Sequence, residues 1–204
     1  MNNNNKKPAI ICCSVVVVIG LTIGILAWCA STVEPIAYGL KYNTLSKNID
    51  GSAGVYEGGW YIVGPFSRFI QFPKTQVNVD FANLPGSKQA PIDARSGVPI
   101  KMSFSFQYQL IKNTLPKLYE LHNVRYEKEL ILTTAEGVIK QEATAYNVTD
   151  YWTMRKQIGD SFCAALNKKF VYANCTGFQL LTIEMSDLNE QAIIKTQLAI
   201  QQGY

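Results

Sequence analysis

Three regimes of hydrophobic patterning follow one another along the chain. The first is continuous. From Ala9 to Ala30 (AIICCSVVVVIGLTIGILAWCA) there is no charged residue. A helix rises about 1.5 Å per residue, so this run would be about 33 Å long, enough for a bilayer core of ~30 Å. Lys6 and Lys7 precede it and Trp28 stands near its far end, the flanks of an anchored helix. The run is longer than the roughly 7–15 residue core of a cleaved signal peptide, and it has no proline to turn a re-entrant hairpin. A retained single-pass transmembrane helix is therefore expected over either alternative.

The second regime alternates. Val55–Val63 and Phe66–Phe72 read as two strands with Gly64-Pro65 turning between them and Pro73 ending the second. Thr75–Phe81 reads as a half-buried strand, and Asn83–Gly97, rich in Pro, Gly and Ser, as a loop. The clearest period of two comes next: Ile100, Met102, Phe104, Phe106, Tyr108 and Leu110 on one side, Lys101, Ser103, Ser105, Gln107 and Gln109 on the other. An antiparallel sheet with one packed face is expected.

The third regime is helical. Leu115, Leu118, Tyr119 and His122 share a face. A helix from Val124 to Tyr146 would group Leu130, Ile131, Thr134, Val138 and Ala145. Asn147, Thr149 or Asp150 would cap the next helix, which would run to Phe170 and bury Trp152, Met154, Ile158, Phe162 and Leu166. Thr176–Met185 reads as a strand, and a last helix opens at Asn189. Strands, then helices, then a strand give an α+β fold with a mostly antiparallel sheet packed by helices. The expected segments are a polar head (1–8), a transmembrane helix (9–30), a folded domain (36–187) and a C-terminal helix (188–204) that could begin a coiled coil.

Charge and cysteines refine the topology. Two lysines before the apolar run, against Glu34 and no lysine at its exit, place the N-terminus inside. The net charge is only +4 with no basic cluster, so nucleic acid is not expected as a partner. Cys12 and Cys13 at the mouth of the run are either lipidation sites or small membrane residues. Gly20, Gly24 and Ala27 form a small-residue stripe suited to helix packing. Cys163 and Cys175 are the two cysteines beyond the run: either a bridge in an oxidising compartment or a reduced, buried pair. Asn147-Val-Thr and Asn174-Cys-Thr are N-glycosylation sequons if the domain faces a secretory lumen, and otherwise turn and cap residues.

No catalytic constellation is found. His122 is the one histidine and cannot by itself build a His-based metal site; no CxxC, HExxH or GxSxG is present, and the glycines between Gly51 and Gly64 lack the Lys-Ser/Thr of a phosphate loop. No catalytic residue, cofactor or metal is expected, and a membrane-anchored enzyme is the least favoured reading.

Several segments resemble the SPFH family, also called Band 7 or prohibitin-homology (stomatins, prohibitins, flotillins, bacterial HflK and HflC). They are Val55–Pro65, Phe69–Pro73, Asp93–Ile100, the strand ending Phe106–Leu110, Tyr119, Ala143–Tyr146, Arg155 and Leu180–Ile183, in the family's order. The resemblance covers about Tyr38 to Gln202. It implies a membrane-bound scaffold, homo-oligomeric or assembled with SPFH paralogues, that organises lipid and protein microdomains. The alternative it implies is a regulatory subunit confining a membrane protease or channel. The expected membrane is the plasma membrane or an endomembrane, with the mitochondrial inner membrane as the alternative.

Overall fold

The computed structural model describes residues 6–50, 54–81, 90–95, 99–185 and 191, the side chains of 6–16, 90–93 and 185 excepted. Most of the expected Asn83–Gly97 loop and, Gln191 apart, the expected C-terminal helix lie outside the described residues. The chain divides into two compact units, Met1–Lys74 and Thr75–Tyr204.

Unit 1 begins with helix α1, Lys6–Cys29. Among the described residues, no helix is long and apolar enough to cross a membrane. The described side chains of α1 start at Val17, so the expected span over Ala9–Ala30 falls partly outside them. The chain passes from α1 directly into β1 (Ala30–Val33), which pairs antiparallel with β5 (Gly59–Ile62). A second sheet is centred on β2 (Ala37–Asn43). It pairs with β6 (Ser67–Pro73) along its whole length, and with the short strands β3 (Asn48–Ile49) and β4 (Val55–Tyr56). Val33, Ala37, Leu40, Ile49 and Phe72 are buried, and the rings of Tyr56, Tyr61 and Phe69 cluster at 5.0–5.6 Å.

The run Val55–Val63, expected as one strand, is two strands in different sheets. The cause is at Gly58, where a Cβ would lie 2.5 Å from Pro35 Cα and 3.0 Å from Glu34 O. Only a glycine lets the two backbones touch there, and the chain bends between β4 and β5. Gly58→Ala is expected to destabilise unit 1 by about 1–3 kcal/mol, because backbone rather than a flexible side chain must give way. Thermal unfolding would measure it.

Unit 2 is built on β9 (Pro99–Leu110). One edge carries β10 (Ala173–Met185) for its full length. The other carries β7 (Val77–Asp80) and β8 (Ala90–Asp93) in tandem, all antiparallel. Ile100, Met102, Phe104, Phe106, Tyr108 and Leu110 are all buried, as the alternation requires. Ser103 and Ser105 are buried as well, against the expectation of a single packed face, while Lys101, Gln107 and Gln109 are exposed. β9 lies between strands on both sides, and its short hydroxyl side chains leave little to expose.

Helix α2 (Leu115–His122) buries Leu115 and Leu118. The continuous helix expected from Val124 to Tyr146 is three windings: a 3-10 turn at Asn123–Arg125, a π-helix at Glu127–Leu132, and α3 (Thr133–Ala143). A π turn holds one residue more than an α turn and rotates the residues beyond it by roughly 100°. The buried set is therefore Ile131, Ala135, Val138, Ile139 and Ala143, while Leu130 and Thr134 are half-buried and Ala145 is exposed.

The next expected helix is broken at Met154 (φ −122°, ψ 34°) into α4 (Asp150–Thr153) and α5 (Arg155–Lys169). The break leaves Trp152 and Met154 exposed rather than buried, and Tyr151 takes the interior position with its Oη donating to Ala143 O at 2.8 Å. Ile158, Phe162 and Leu166 are buried as expected. Gly159 brings α5 against β10: a Cβ there would lie 3.1 Å from Phe178 O.

Candidate functional site

The residues with functional character gather first where α1 meets the ribbon formed by β1 and β5. The last carbonyls of a helix have no partner within it. Here the Cys29 carbonyl accepts from the backbone N–H of Val63 (2.9 Å) and of Gly64 (3.2 Å). Gly64 has φ +97°, a backbone region that favours glycine. The Trp28 ring meets Phe66 edge-on at 6.4 Å. The end of α1 is thus held by main-chain bonds and an aromatic contact, not by a flexible linker.

The ribbon has two faces, because side chains alternate along a strand. Val33 and Tyr61 turn inward, Val33 being 3% exposed. Ala30, Thr32, Trp60 and Ile62 occupy the other face through the pairs Ala30↔Ile62 and Thr32↔Trp60. Trp60 is 75% and Ile62 72% exposed, and Ile36 and Phe66 are exposed too. A water-facing ribbon gains nothing from an indole and an isoleucine side by side.

The described part of α1 is apolar and exposed all round: Val17, Val18, Ile19, Leu21, Ile23, Ile25 and Leu26 are each more than half exposed. Gly20 and Gly24 have open space where a Cβ would be, and Ala27 is exposed, so the small stripe is uncovered. The side chains of Cys12 and Cys13 lie outside the described residues.

In unit 2, α5 is tied to the outer strand β10. Cys163 and Cys175 form a disulfide with their Cα atoms 5.6 Å apart. Beside it the Asn167 amide accepts from the Cys175 N–H at 2.6 Å and donates to the Cys175 carbonyl at 3.1 Å, as a neighbouring strand would. The Arg155 guanidinium donates to the carbonyls of Leu180 (3.1 Å) and Leu181 (2.8 Å), where β10 bulges. An outer strand whose polar groups are occupied is a poor template for further pairing. In the sequence, Arg155 stands out only through the family resemblance and Asn167 not at all, since nothing local marks a helical Asn as a strand cap.

Asn147 is exposed in the turn before α4, its backbone N–H donating to Asp150 Oδ2 at 2.9 Å; Thr149 is exposed. Asn174 is exposed on β10 opposite Gln109. His122 Nδ1 lies 3.9 Å and Arg125 Nη1 3.7 Å from the Glu129 carboxylate, a charge group at the surface. Among the described residues, no cluster of His, Cys, Asp and Glu is arranged to hold a metal.

Three buried phenols stand out. The Tyr108 hydroxyl is buried without a partner in hydrogen-bond geometry, although Tyr126 and Glu127 lie near enough to act on it. Burial, and then those neighbours, hold Tyr108 well above the ordinary tyrosine range; burial does the same for Tyr151 and, less strongly, Tyr126. A raised folded-state pKa gives stability that is full below the unfolded value of about 10 and is lost as pH climbs above it. Alkaline unfolding is therefore expected to steepen above about pH 10. Tyr108→Phe should flatten that loss, since it removes a group whose titration drives it. Chemical unfolding of both proteins at pH 7 and pH 11 checks this.

A search of curated proteins finds no match. Residues 31–203 match the model of the SPFH domain / Band 7 family, a stretch that runs from β1 past the end of β10 and takes in the ribbon, both sheets and the disulfide. With most of its length matched in this way, the chain belongs to the SPFH domain / Band 7 family.

Proposed function

We propose that the protein is a non-catalytic, membrane-anchored scaffold that self-assembles at a bilayer surface and organises the lipids and proteins around it. The family supports the coarse part: its members are generally membrane-associated, non-enzymatic scaffolds. The observation that carries the reading is the described part of α1, from Val17 on, which is apolar and exposed on every side. A helix that is hydrophobic all round is at rest in a core or in lipid, and the charge-free run Ala9–Ala30 would be about 33 Å long as a helix, enough for a bilayer core of ~30 Å. The clasp on Cys29 then sets the β1–β5 ribbon at the membrane surface, where Trp60 and Ile62 enter the headgroup region. Indole rings favour that zone. Assembly would come from the small stripe Gly20–Gly24–Ala27, joining identical copies or SPFH paralogues.

Two measurements test this. The detergent-solubilised chain should run as a particle of many subunits; a monomer would sink the scaffold reading. In liposomes, with Trp28 and Trp152 replaced by Phe, brominated lipid should quench Trp60 fluorescence. Ile62→Asp should reduce the quenching several-fold, and emission indifferent to the quencher would remove the ribbon from the surface.

A further inference from the structure

We propose that unit 2 lies in an oxidising secretory lumen, or outside the cell, and carries N-linked glycans on Asn147 and Asn174. The inference rests on the reading of α1 as a membrane helix and adds which side the domain faces. Three observations converge on it. The first is the disulfide between Cys163 and Cys175; such bonds persist in the secretory lumen and outside the cell but are reduced in the cytosol. The second is that both sequon asparagines are exposed, as are Thr149 and Thr176 two residues on. The third is Lys6 and Lys7 at the start of α1, whose charge favours an N-terminus on the inside and a domain on the far side.

The structure leaves room for both glycans. Asn147 sits in a turn, and the hydrogen bond there engages its backbone, not its side chain. Along β10 the side chains alternate, so Asn174 points away from Cys175 and from the α5 helix to which Cys175 is bonded. It lies beside Gln109 on the exposed side of the sheet. In the transfer, the Asn Nδ2 bonds to the anomeric carbon of a lipid-pyrophosphate-linked oligosaccharide. The anomeric C–O bond breaks, the pyrophosphate leaves with its electron pair, and one amide proton goes to a base.

The two sites differ in timing. Asn174 precedes Cys175 and is paired to β9 in the folded sheet. Once the bridge has closed and β10 has docked, the sequon cannot leave the sheet to reach the transferase. Glycan transfer at Asn174 therefore has to precede bridge closure, whereas Asn147 remains in a turn. Asn147 is expected to be fully occupied and Asn174 partly. Cys163→Ser, which leaves the second sequon intact, should raise the occupancy of Asn174.

The experiment is expression in animal cells with a C-terminal epitope, followed by glycosidase digestion of the wild type, Asn147→Gln, Asn174→Gln and the double variant. Thiol labelling is done with and without reductant. The expected result is two mobility steps, each removed by one substitution, and Cys163 and Cys175 labelled only after reduction. No step with free thiols would overturn the proposal in favour of a reducing side. No step with a closed bridge would overturn it in favour of an oxidising compartment without the transferase. One step, lost with Asn147→Gln, would overturn the assignment of Asn174. Alkaline carbonate extraction is run in parallel: release from the membrane would defeat the anchored-scaffold reading, whatever the glycans show.

Discussion

Phe162→Ala is expected to lower the free energy of unfolding by about 3–5 kcal/mol, the range for emptying a large buried aromatic site. Phe162 has no exposed surface. Its ring meets Phe178 of β10 at 5.4 Å and Tyr146 at 6.1 Å, both edge-on. Through Phe178 it reaches Phe104 and Phe106 of β9, which stack on that ring at 5.4 and 6.5 Å. One side chain thus joins α5, the outer strand, the central strand and the turn after α3. The site cannot collapse, because Gly159 already holds α5 at backbone contact distance from Phe178. The cavity should persist, which puts the cost toward the upper end. Phe162→Leu, which refills most of the volume, should recover more than half of it. Denaturant unfolding of the detergent-solubilised chain, followed by near-ultraviolet circular dichroism, reads both.

The second large effect is expected from the Cys163–Cys175 pair. The bridge closes a loop of sequence separation 12. Chain-entropy estimates for a loop of this size come to about 3 kcal/mol. Cys163→Ser with Cys175→Ser should therefore lower the melting temperature on the order of 10 °C for a unit of this length. Asn167 sets the lower bound on what survives: its two bonds to Cys175 keep the strand end on α5 after the sulfur link is gone. Adding Asn167→Ala should then cost more in the double-serine protein than in the wild type, because the two ties hold the same point. Equal costs would show that they act independently. Reduction of the wild type should reproduce the double-serine protein.

Features of the fold were legible in the sequence where their signals are local. The alternation over Ile100–Leu110 survived as β9 because strand geometry itself imposes a period of two, and the α+β order came with it. The split of Val55–Val63 was hidden because it depends on Pro35, which comes from another part of the chain. The π turn at Glu127–Leu132 was hidden because Glu-Lys-Glu-Leu-Ile-Leu favours any helical winding, and one extra residue per turn leaves no mark on composition. Trp60 and Ile62 carry the same alternation whether they face a core or a solvent. Their exposure is visible only once the ribbon is folded, with Tyr61 packed on Tyr56 and Phe69 and Val33 buried on the opposite face. The spacing of Cys163 and Cys175 permitted a bridge, but the docking of α5 on β10 brings the two together.

The bonds from Val63 and Gly64 to the Cys29 carbonyl also fix a stand-off distance. Proteins tethered to a bilayer by a flexible stalk sample a range of heights, and two of them meet only when their heights coincide. This chain has no stalk: the helix becomes a strand at Ala30, and that strand is hydrogen-bonded into the ribbon. With α1 in a bilayer, every copy holds its first unit at one level and differs from its neighbours only in lateral position and rotation about the membrane normal. Encounter then becomes a search in a plane, and a tilt of the helix is passed to the ribbon as a lever passes it. Bilayer thickness, which would set that tilt, would become a quantity that the first unit reports to its neighbours.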